Sequence, residues 1–518
     1  MLTNFFIILI LQNNIICWLI YSIICVLYNL YVYGRKLQME KLLNNLKTYL
    51  PKIFLGIQII ISLVFLFMLF NFAVLPDIYL YSIIAVVIAL CVLTFFLQFK
   101  TAEKSIRSII SKVLSVLISA GLIFVCFEIN RGTSFINSFS GMNYETDALS
   151  VIVLKNSDYK ELNDLKDKKI AMNEQEDQKN LTNALSDIRD QLSSAEYKNY
   201  VDWSHLADAL YNKSVDAILV NEAYRGMLEE KHPDMDVETR VIYQVKIKTE
   251  TENIANNGAI KDGVFNICVT GIDTYGPVST RSRSDVNMVM TVNMNTHKIL
   301  MTGIPRDYYV KLASKGQYDK LTHSGIYGVN ETVNTISDLL DTKIDYYYRI
   351  NFSSLVNVVD TLGGIDVYSD LTFKPLHGDE MITEGMNHFN GDMALAFSRE
   401  RYAYESGDRH RIQNQQDVMM AIIKKLISPS VLSNYQEILE KVEGTFETNM
   451  NSEDIMALIK MQLSDLKGYE MINQYLDGTG KLTYGLYAMP KSKLYTMIPN
   501  EETVAAAKKK IDDIENEK

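Results

Sequence analysis

At 518 residues the chain has room for two or three domains, and 48% hydrophobic with 22% charged residues is the composition of a folded protein, not a disordered one. The net charge of −11 is uneven, +6 through Ser138 and therefore −17 beyond it, which excludes an extended nucleic-acid footprint on the acidic part. Of the five cysteines, Cys17, Cys25, Cys91 and Cys126 fall in apolar stretches and only Cys268 lies outside them, so the C-terminal part can form no intrachain disulfide and has no metal-thiolate spacing.

The apolar residues gather at the start. Phe5 to Val32 carries no charge, Ile53 to Leu75 and Ile78 to Phe96 are long enough to cross a hydrocarbon core of ~30 Å, and Ile109 to Ile129 crosses if Lys112 and Glu128 snorkel. Residues 1–130 therefore read as three or four transmembrane helices. Arg35, Lys36, Lys41, Lys47 and Lys52 flank the second span, and Lys100, Lys104, Arg107 and Lys112 separate the third from the fourth, while the Pro76-Asp77 turn has no base. Basic loops stay cytoplasmic, so everything after Ile129 is expected outside. Starting at Met39 instead of Met1 leaves three spans with the same exterior part. A cleaved signal peptide is disfavoured, because Phe5 to Val32 has no basic n-region.

Residues 146–252 have a pattern of their own. Apolar runs from Ser150, Lys168 and Val215 read as strands, with amphipathic stretches at Leu181 to Leu192 and His205 to Tyr211 between them, which predicts a small α/β accessory domain. It resembles one lobe of a periplasmic-binding-type fold. Its expected role is a spacer above the membrane or, alternatively, a polymer- or partner-binding module. The polar stretch Thr249 to Gly263 is the predicted linker.

Three strand-length apolar runs follow, Phe265 to Val269, Val286 to Val292 and Ile299 to Gly303, with charged loops at their ends. Asp273, the Arg-Ser-Arg-Ser-Asp run ending at Asp285, and Arg306-Asp307 after Pro305 can therefore converge on one volume. Carboxylates bind Mg²⁺ and guanidinium forks bind phosphate. Asp307 is expected to be structural, pairing with Arg306, with a catalytic role as the alternative. Val333 to Leu340 predicts a helix, Tyr346 onward a strand, and Phe352 to Leu362 an apolar helix bearing Leu355, Val358, Val359 and Leu362. In ALAFSRER a strand over Ala394 to Phe397 would put Arg399 and Arg401 on one face; Asp408 fits a helix N-cap, and Arg411 and Gln415 share a face of that helix. A helix start at Asn451 to Asp454 and a strand from Gly480 complete the domain, and residues 501–518 read as a charged tail, with Val504 to Lys518 either a terminal helix or a tail.

The order GID, RSD and IPRD, then GGIDV from Gly363, GMNHFNGDMALAFSRERY from Gly385 and GDRHRIQNQQ from Gly407, resembles the LytR-CpsA-Psr (LCP) family of cell-envelope glycopolymer transferases. The resemblance implies an α/β domain over 261–500, with a central mixed sheet flanked by helices. It implies Mg²⁺ as cofactor with Asp273 and Asp285 as ligands. It implies pyrophosphate contacts from Arg283, Arg306, Arg399, Arg401, Arg411 and Gln415, with Asp408 orienting the arginines and Asp285, Arg306, Arg399 and Arg401 carrying catalysis. By the resemblance Leu355, Val358, Val359 and Leu362 would line a polyprenyl chain; the alternative is that their helix simply covers the sheet. Asn414 stands where many members carry an arginine. Expected partners are a polyprenyl-pyrophosphate-linked glycan, peptidoglycan, the membrane and polysaccharide-synthesis proteins, with no nucleic acid. The alternative class is a membrane-anchored regulator or sensor of envelope polysaccharide synthesis, which does not account for the spaced Asp and Arg set.

Overall fold

The computed structural model describes residues 36–98, 105–141, 144–175, 177–272, 277–428, 444–465 and 467–518, in two compact units, Met1–Asn130 and Arg131–Lys518. Phe5 to Val32, the first predicted span, lies outside the described residues, as does Asp273.

Among the described residues three stretches are long and apolar enough to cross a membrane: Lys52–Phe72, Asp77–Gln98 and Ile106–Ser138, the last running on past the first unit. Large apolar side chains such as Phe67, Phe70, Ile78 and Phe96 are turned outward, the surface that a lipid environment favours.

Among its described residues the second unit holds two large sheets. Strands β1 (Tyr144–Leu154), β2 (Lys169–Met172), β3 (Glu196–Asn199), β4 (Ala217–Asn221) and β5 (Thr239–Glu250) form a sheet in the order β3-β2-β4-β1-β5. β2 runs parallel to β3 and β4, whereas β1 is antiparallel to β4 and β5. Side chains alternate across the strands. Val151, Ile170 and Leu219 face the helix Gln178–Gln191, while Ile152, Ala171 and Ile218 face the helix Trp203–Tyr211. That second core is shared, for it takes in Ile326, Leu486, Ala488, Met489 and Leu494 from far along the chain. The 146–252 stretch is an α/β module as expected, but it is packed into the following domain, not held apart from it.

The larger sheet contains β6 (Val264–Ile272), β7 (Ser284–Asn293), β8 (Lys298–Gly303), β11 (Tyr346–Asn351), β14 (Phe446–Thr448) and β15 (Glu470–Tyr475) in the order β14-β11-β6-β7-β8-β15. β6/β11 and β8/β15 are parallel and the other pairs antiparallel, which makes it the expected mixed sheet. Short pairs β9 (Tyr309–Lys311) with β10 (Tyr318–Lys320), β12 (Ile365–Ser369) with β13 (Gly385–Phe389), and β16 (Gly478–Thr483) with β17 (Leu494–Pro499) decorate it. Cys268, Val289 and Leu300 point to one face, against Val333, Ile336 and Leu340 of the helix Val329–Leu340; Ile267, Val269 and Met301 point to the other, near Ile455. Burial pushes the Cys268 thiol up to about 12, so it is inert filling.

One sequence expectation needs correction, and one open between helix and tail takes the helix. Glu501–Glu515 is a helix, capped by Asn500, whose Val504, Ala507, Ile511 and Ile514 recur at helical spacing and bury against the sheet. Ala394 to Phe397 is not a strand but lies within the helix Gly391–Arg399, because Asn390 accepts from the Met393 amide at 2.9 Å and Asp360 accepts from the Gly391 amide at 2.7 Å. A side chain at Gly391 would overlap the Val356 backbone, so this glycine lets the helix seat.

At the core of the second unit Arg349, 2% exposed, serves two carboxylates: Nη1 donates to Glu145 Oε1 at 2.7 Å, and Nη2 lies 2.6 Å from Glu447 Oε1. Glu145 also binds Arg281, so its carboxyl is held low despite burial. Glu447 has only the shared guanidinium, and burial pushes it up to about 7. A carboxyl raised in the fold favours the folded state when protonated. Its contribution is therefore full below about pH 4.5 and is lost as pH rises through about 7. Plotting Tm against pH for wild type and Glu447→Gln should show the wild-type curve falling relative to the variant across that window; parallel curves would refute the assignment.

Candidate active site

The site is built on an irregularity in the β6/β7 ladder. Gly271 pairs with Val286 but Ile272 pairs with Ser284, so Asp285 is the extra residue of a bulge. A bulge re-aims its side chain, here toward the strand ends. Ser284 is pinned beside it, sharing a hydrogen bond with Thr270 and donating to Asn287 Oδ1 at 2.6 Å.

Asp285 is met from two sides. Arg306, which follows β8 after Pro305, donates from Nη1 to Oδ2 at 2.9 Å, and Thr322 donates from Oγ1 to Oδ1 at 2.6 Å. Thr322 sits in the turn Leu321–Tyr327, and its amide donates to the Arg306 carbonyl at 2.8 Å. Gly325 in the same turn lies against the backbone of Ser282 and Ser284, an approach that a Cβ would block. Burial alone would raise the Asp285 carboxyl, but Arg306, Arg283, the Thr322 hydroxyl and Arg411 outweigh it and hold it far below the usual carboxylate range. It is therefore anionic and a poor proton acceptor.

Asp408 is not the helix cap. Gly407, at φ 54°, precedes it, and Asp408 opens the helix Asp408–Leu426 and forms an ion pair with Arg411 one turn on. Arg411 is half-buried, with its Nε unbonded. Burial lowers its affinity for a proton, as do Arg306 and Arg401, and Asp408 and Asp285 offset this. Arg283, Arg306, Arg411 and Arg401 thus lie in overlapping electrostatic range around two acids.

The RER turn contributes differently from an extended strand. Arg399 ends its helix with its guanidinium 4.3 Å over the Phe352 ring, and Arg401 donates to the Tyr402 hydroxyl at 2.6 Å. Between them Glu400 turns inward and accepts from the amides of Leu376, Arg401, Tyr402 and Ala403, fixing the turn. Gln415 donates to the Ser398 carbonyl at 3.3 Å and Asn414 to the Phe397 carbonyl at 3.0 Å, tying the two helices together. Asn414 is buried, so the position where the resemblance led us to look for another arginine is structural here. Leu355, Val359 and Leu362 are buried, with Val358 packed against them, among Phe389, Phe397, Val418 and Ile422.

Asp307 lies 3.7 Å from Arg306 and 2.7 Å from Lys320 Nζ, which makes it a structural counter-ion. His410 stacks on Tyr404, with ring centroids 3.5 Å apart. No sequence motif marks Thr322, Glu400 or Lys320. Nothing local in the sequence marks a hydroxyl, an inward acid or a buried lysine that matters only through tertiary contact.

The family model described as LytR_cpsA_psr matches residues 231–502, which holds all of these groups. The chain belongs to the LytR_cpsA_psr family. Among LytR_cpsA_psr relatives, the polyisoprenyl-teichoic acid–peptidoglycan teichoic acid transferase TagU of Bacillus cereus is 33% identical over 219 residues, covering 42% of this chain and 71% of that protein. TagU of Bacillus subtilis is 34% identical over 231 residues, covering 44% and 72%. The crystal structure of B. subtilis TagV aligns over 49% of this chain and 98% of that one, at 26% identity and a TM-score of 0.41.

Asp285 compensates cations that otherwise repel one another. Asp285→Asn should lower Tm at neutral pH, and inorganic pyrophosphate should raise the Tm of the variant more than that of wild type, because the anion replaces the missing charge. Equal shifts in scanning fluorimetry would contradict this.

Proposed function

We propose that this protein is an extracytoplasmic phosphotransferase that moves a glycopolymer from a polyprenyl-pyrophosphate carrier to a peptidoglycan hydroxyl. The observation that carries the reading is the gathering of Arg306, Arg283 and Arg411 around an anionic Asp285. A helix opening at Asp408 adds the positive end of its dipole. The names of the TagU relatives, which pair a polyisoprenyl-linked polymer with peptidoglycan, support the same class of substrates.

In the proposed reaction the acceptor oxygen attacks the sugar-proximal phosphorus. A P–O bond forms to the acceptor, the bridging P–O bond of the pyrophosphate breaks, the hydroxyl proton is released, and polyprenyl phosphate leaves. Guanidinium groups fixed before the substrate arrives stabilise the charge that builds on the phosphoryl oxygens, and they need no reorganisation to do so. Asp285 is too weak a base to take the proton; its role is to hold Arg306 and to keep Arg283 and Arg411 nearby.

The donor set is compatible with Mg²⁺ of the kind that keeps several waters and binds through one or two carboxylates plus substrate phosphate. Asp285 is ionised, and Ile272, the residue before Asp273, pairs with Ser284, the residue before Asp285. Among the described residues no cluster of three or more His, Cys, Asp or Glu could hold an ion by itself. Asp273 and Asp285 would hold it, and it would supply charge neutralisation at the pyrophosphate. For the lipid we propose the apolar cluster of Leu355, Val358, Val359 and Leu362, whose edge meets the arginines where Arg399 covers Phe352. Because those side chains are already packed, a polyprenyl chain entering there has to part the helices Phe352–Thr361 and Gly391–Arg399.

A charge-assisted hydrogen bond is worth ~1.5–3 kcal/mol, so alanine at Arg306, Arg399, Arg401 or Arg411 should slow transfer by roughly ten- to a hundredfold or more. Lysine at Arg399 or Arg401 should restore only part of it, since an ammonium lacks the fork. The assay takes a polyprenyl-pyrophosphate oligosaccharide and a peptidoglycan oligomer and measures both phosphodiester and polyprenyl phosphate. Wild-type rates in all four alanine variants, or polyprenyl pyrophosphate as the released product, would overturn the mechanism.

Orientation follows from the loop bases. A cysteine at Ser204 should react with an impermeant thiol reagent in whole cells, and one at Ser105 should not. The reverse labelling pattern would put the site on the other side.

A further inference from the structure

The segment 279–285 that delivers Asp285 is gripped along its length by the module of β1 to β5, most of which precedes the family-matched residues 231–502. Its backbone pairs with the start of β1: the Thr146 amide donates to the Ser279 carbonyl at 2.8 Å and the Arg281 amide to the Thr146 carbonyl at 2.9 Å. Arg281 then reaches Glu145 at 3.1 Å and Asp147 at 3.3 Å, both acids buried. Two residues on, Arg283 turns to the helix Arg225–Glu229. There its guanidinium fills the space left by Gly226, where any Cβ would overlap it, and lies 3.7 Å from Glu229. The neighbouring Glu230 lies 3.9 Å from Lys320, the lysine that holds Asp307 beside Arg306.

Alternation in an extended segment explains the grip. Arg281 and Arg283 share one side, and the bulge then turns Asp285 toward Arg306. Arg283 is in turn one of the cations that keep Asp285 ionised.

We propose that the accessory module is a working wall of the active site, with Glu229 and Gly226 positioning Arg283 for the donor pyrophosphate. Glu229 is a positioning residue, since it acts through Arg283. This rests on the pyrophosphate-transfer reading above.

The test uses the full-length chain in detergent, with geranylgeranyl pyrophosphate as the probe in calorimetry, and compares wild type, Glu229→Gln, Glu229→Asp, Gly226→Ala, Arg283→Ala and the Glu229→Gln/Arg283→Ala double variant. Glu229→Gln and Arg283→Ala should each weaken binding about three- to tenfold, and the double variant should be no weaker than Arg283→Ala alone, because both changes remove one interaction. Gly226→Ala should match Arg283→Ala, and Glu229→Asp should recover part of the loss. Melting curves of the same proteins separate positioning from simple docking. Coupling seen in Tm but absent from binding, or binding losses that add in full, overturns the proposal while leaving the transfer reading intact. Wild-type protein that shows no saturable binding overturns the transfer reading, and this inference with it.

Discussion

Like charges repel, and the second unit brings several guanidinium groups into one partly buried volume. At a separation of a few ångströms and an effective dielectric near 20, such repulsion costs on the order of several kcal/mol per pair unless anions intervene. Four of the cations have an acid of their own, Asp285 for Arg306, Asp408 for Arg411, Glu229 for Arg283 and Asp307 for Lys320, while Arg399 and Arg401 lie over the rings of Phe352 and Tyr402. The geometry of the site is the solution to that constraint. A bulge aims Asp285, Gly325 brings Thr322 up to it, and Glu400 pins the turn between Arg399 and Arg401. A pyrophosphate then enters a field already built to accept negative charge, with the arginines held at one edge by their own carboxylates.

The acids are unequal in consequence. Asp285, surrounded by cations, stays ionised even though it is half-buried, whereas Glu447 shares Arg349 with Glu145 and is pushed up by burial. The difference is the ratio of cations to anions in each cluster. Where cations exceed anions the site can take a further anion, and where anions exceed cations the cluster is closed. The first arrangement suits ligand binding and the second suits structure.

Much of this was legible in the sequence, for identifiable reasons. Apolar runs of strand length place β6, β7 and β8 within a few residues of their observed limits, and charged residues at the ends of apolar runs must gather at strand ends. Helical spacing locates Val329–Leu340 and Phe352–Thr361. The ALAF run failed because four apolar residues fit a buried strand or a helix equally well, and the deciding feature is the Asn390 cap with Asp360 behind it, a contact thirty-one residues apart in sequence. The bulge at Asp285 leaves no trace in residue type. The polar linker at 249–263 marks where the accessory domain ends, but the shared core reaches from Trp203 and Leu206 to Leu486 and Leu494, a partnership no local pattern records.

The manner of that docking is informative. Apolar contact through Ile326, Leu486 and Met489 would hold the module in place without charge. Yet the seam also buries Glu145, Asp147 and Arg349, and burying ions is costly enough that apolar replacements are often at least as stable. What an apolar seam lacks is direction, since oily surfaces can slide by a residue at little cost. The Glu145 carboxylate takes Arg349 on one oxygen and Arg281 on the other, and its Oε1 also accepts from the Val329 amide at 2.9 Å. That set of partners is satisfied in one register alone. A module needed only as a spacer has no use for such a register, whereas a module that seats the segment ending at Asp285 requires it, because a one-residue slip would exchange the faces of Arg283 and its neighbours.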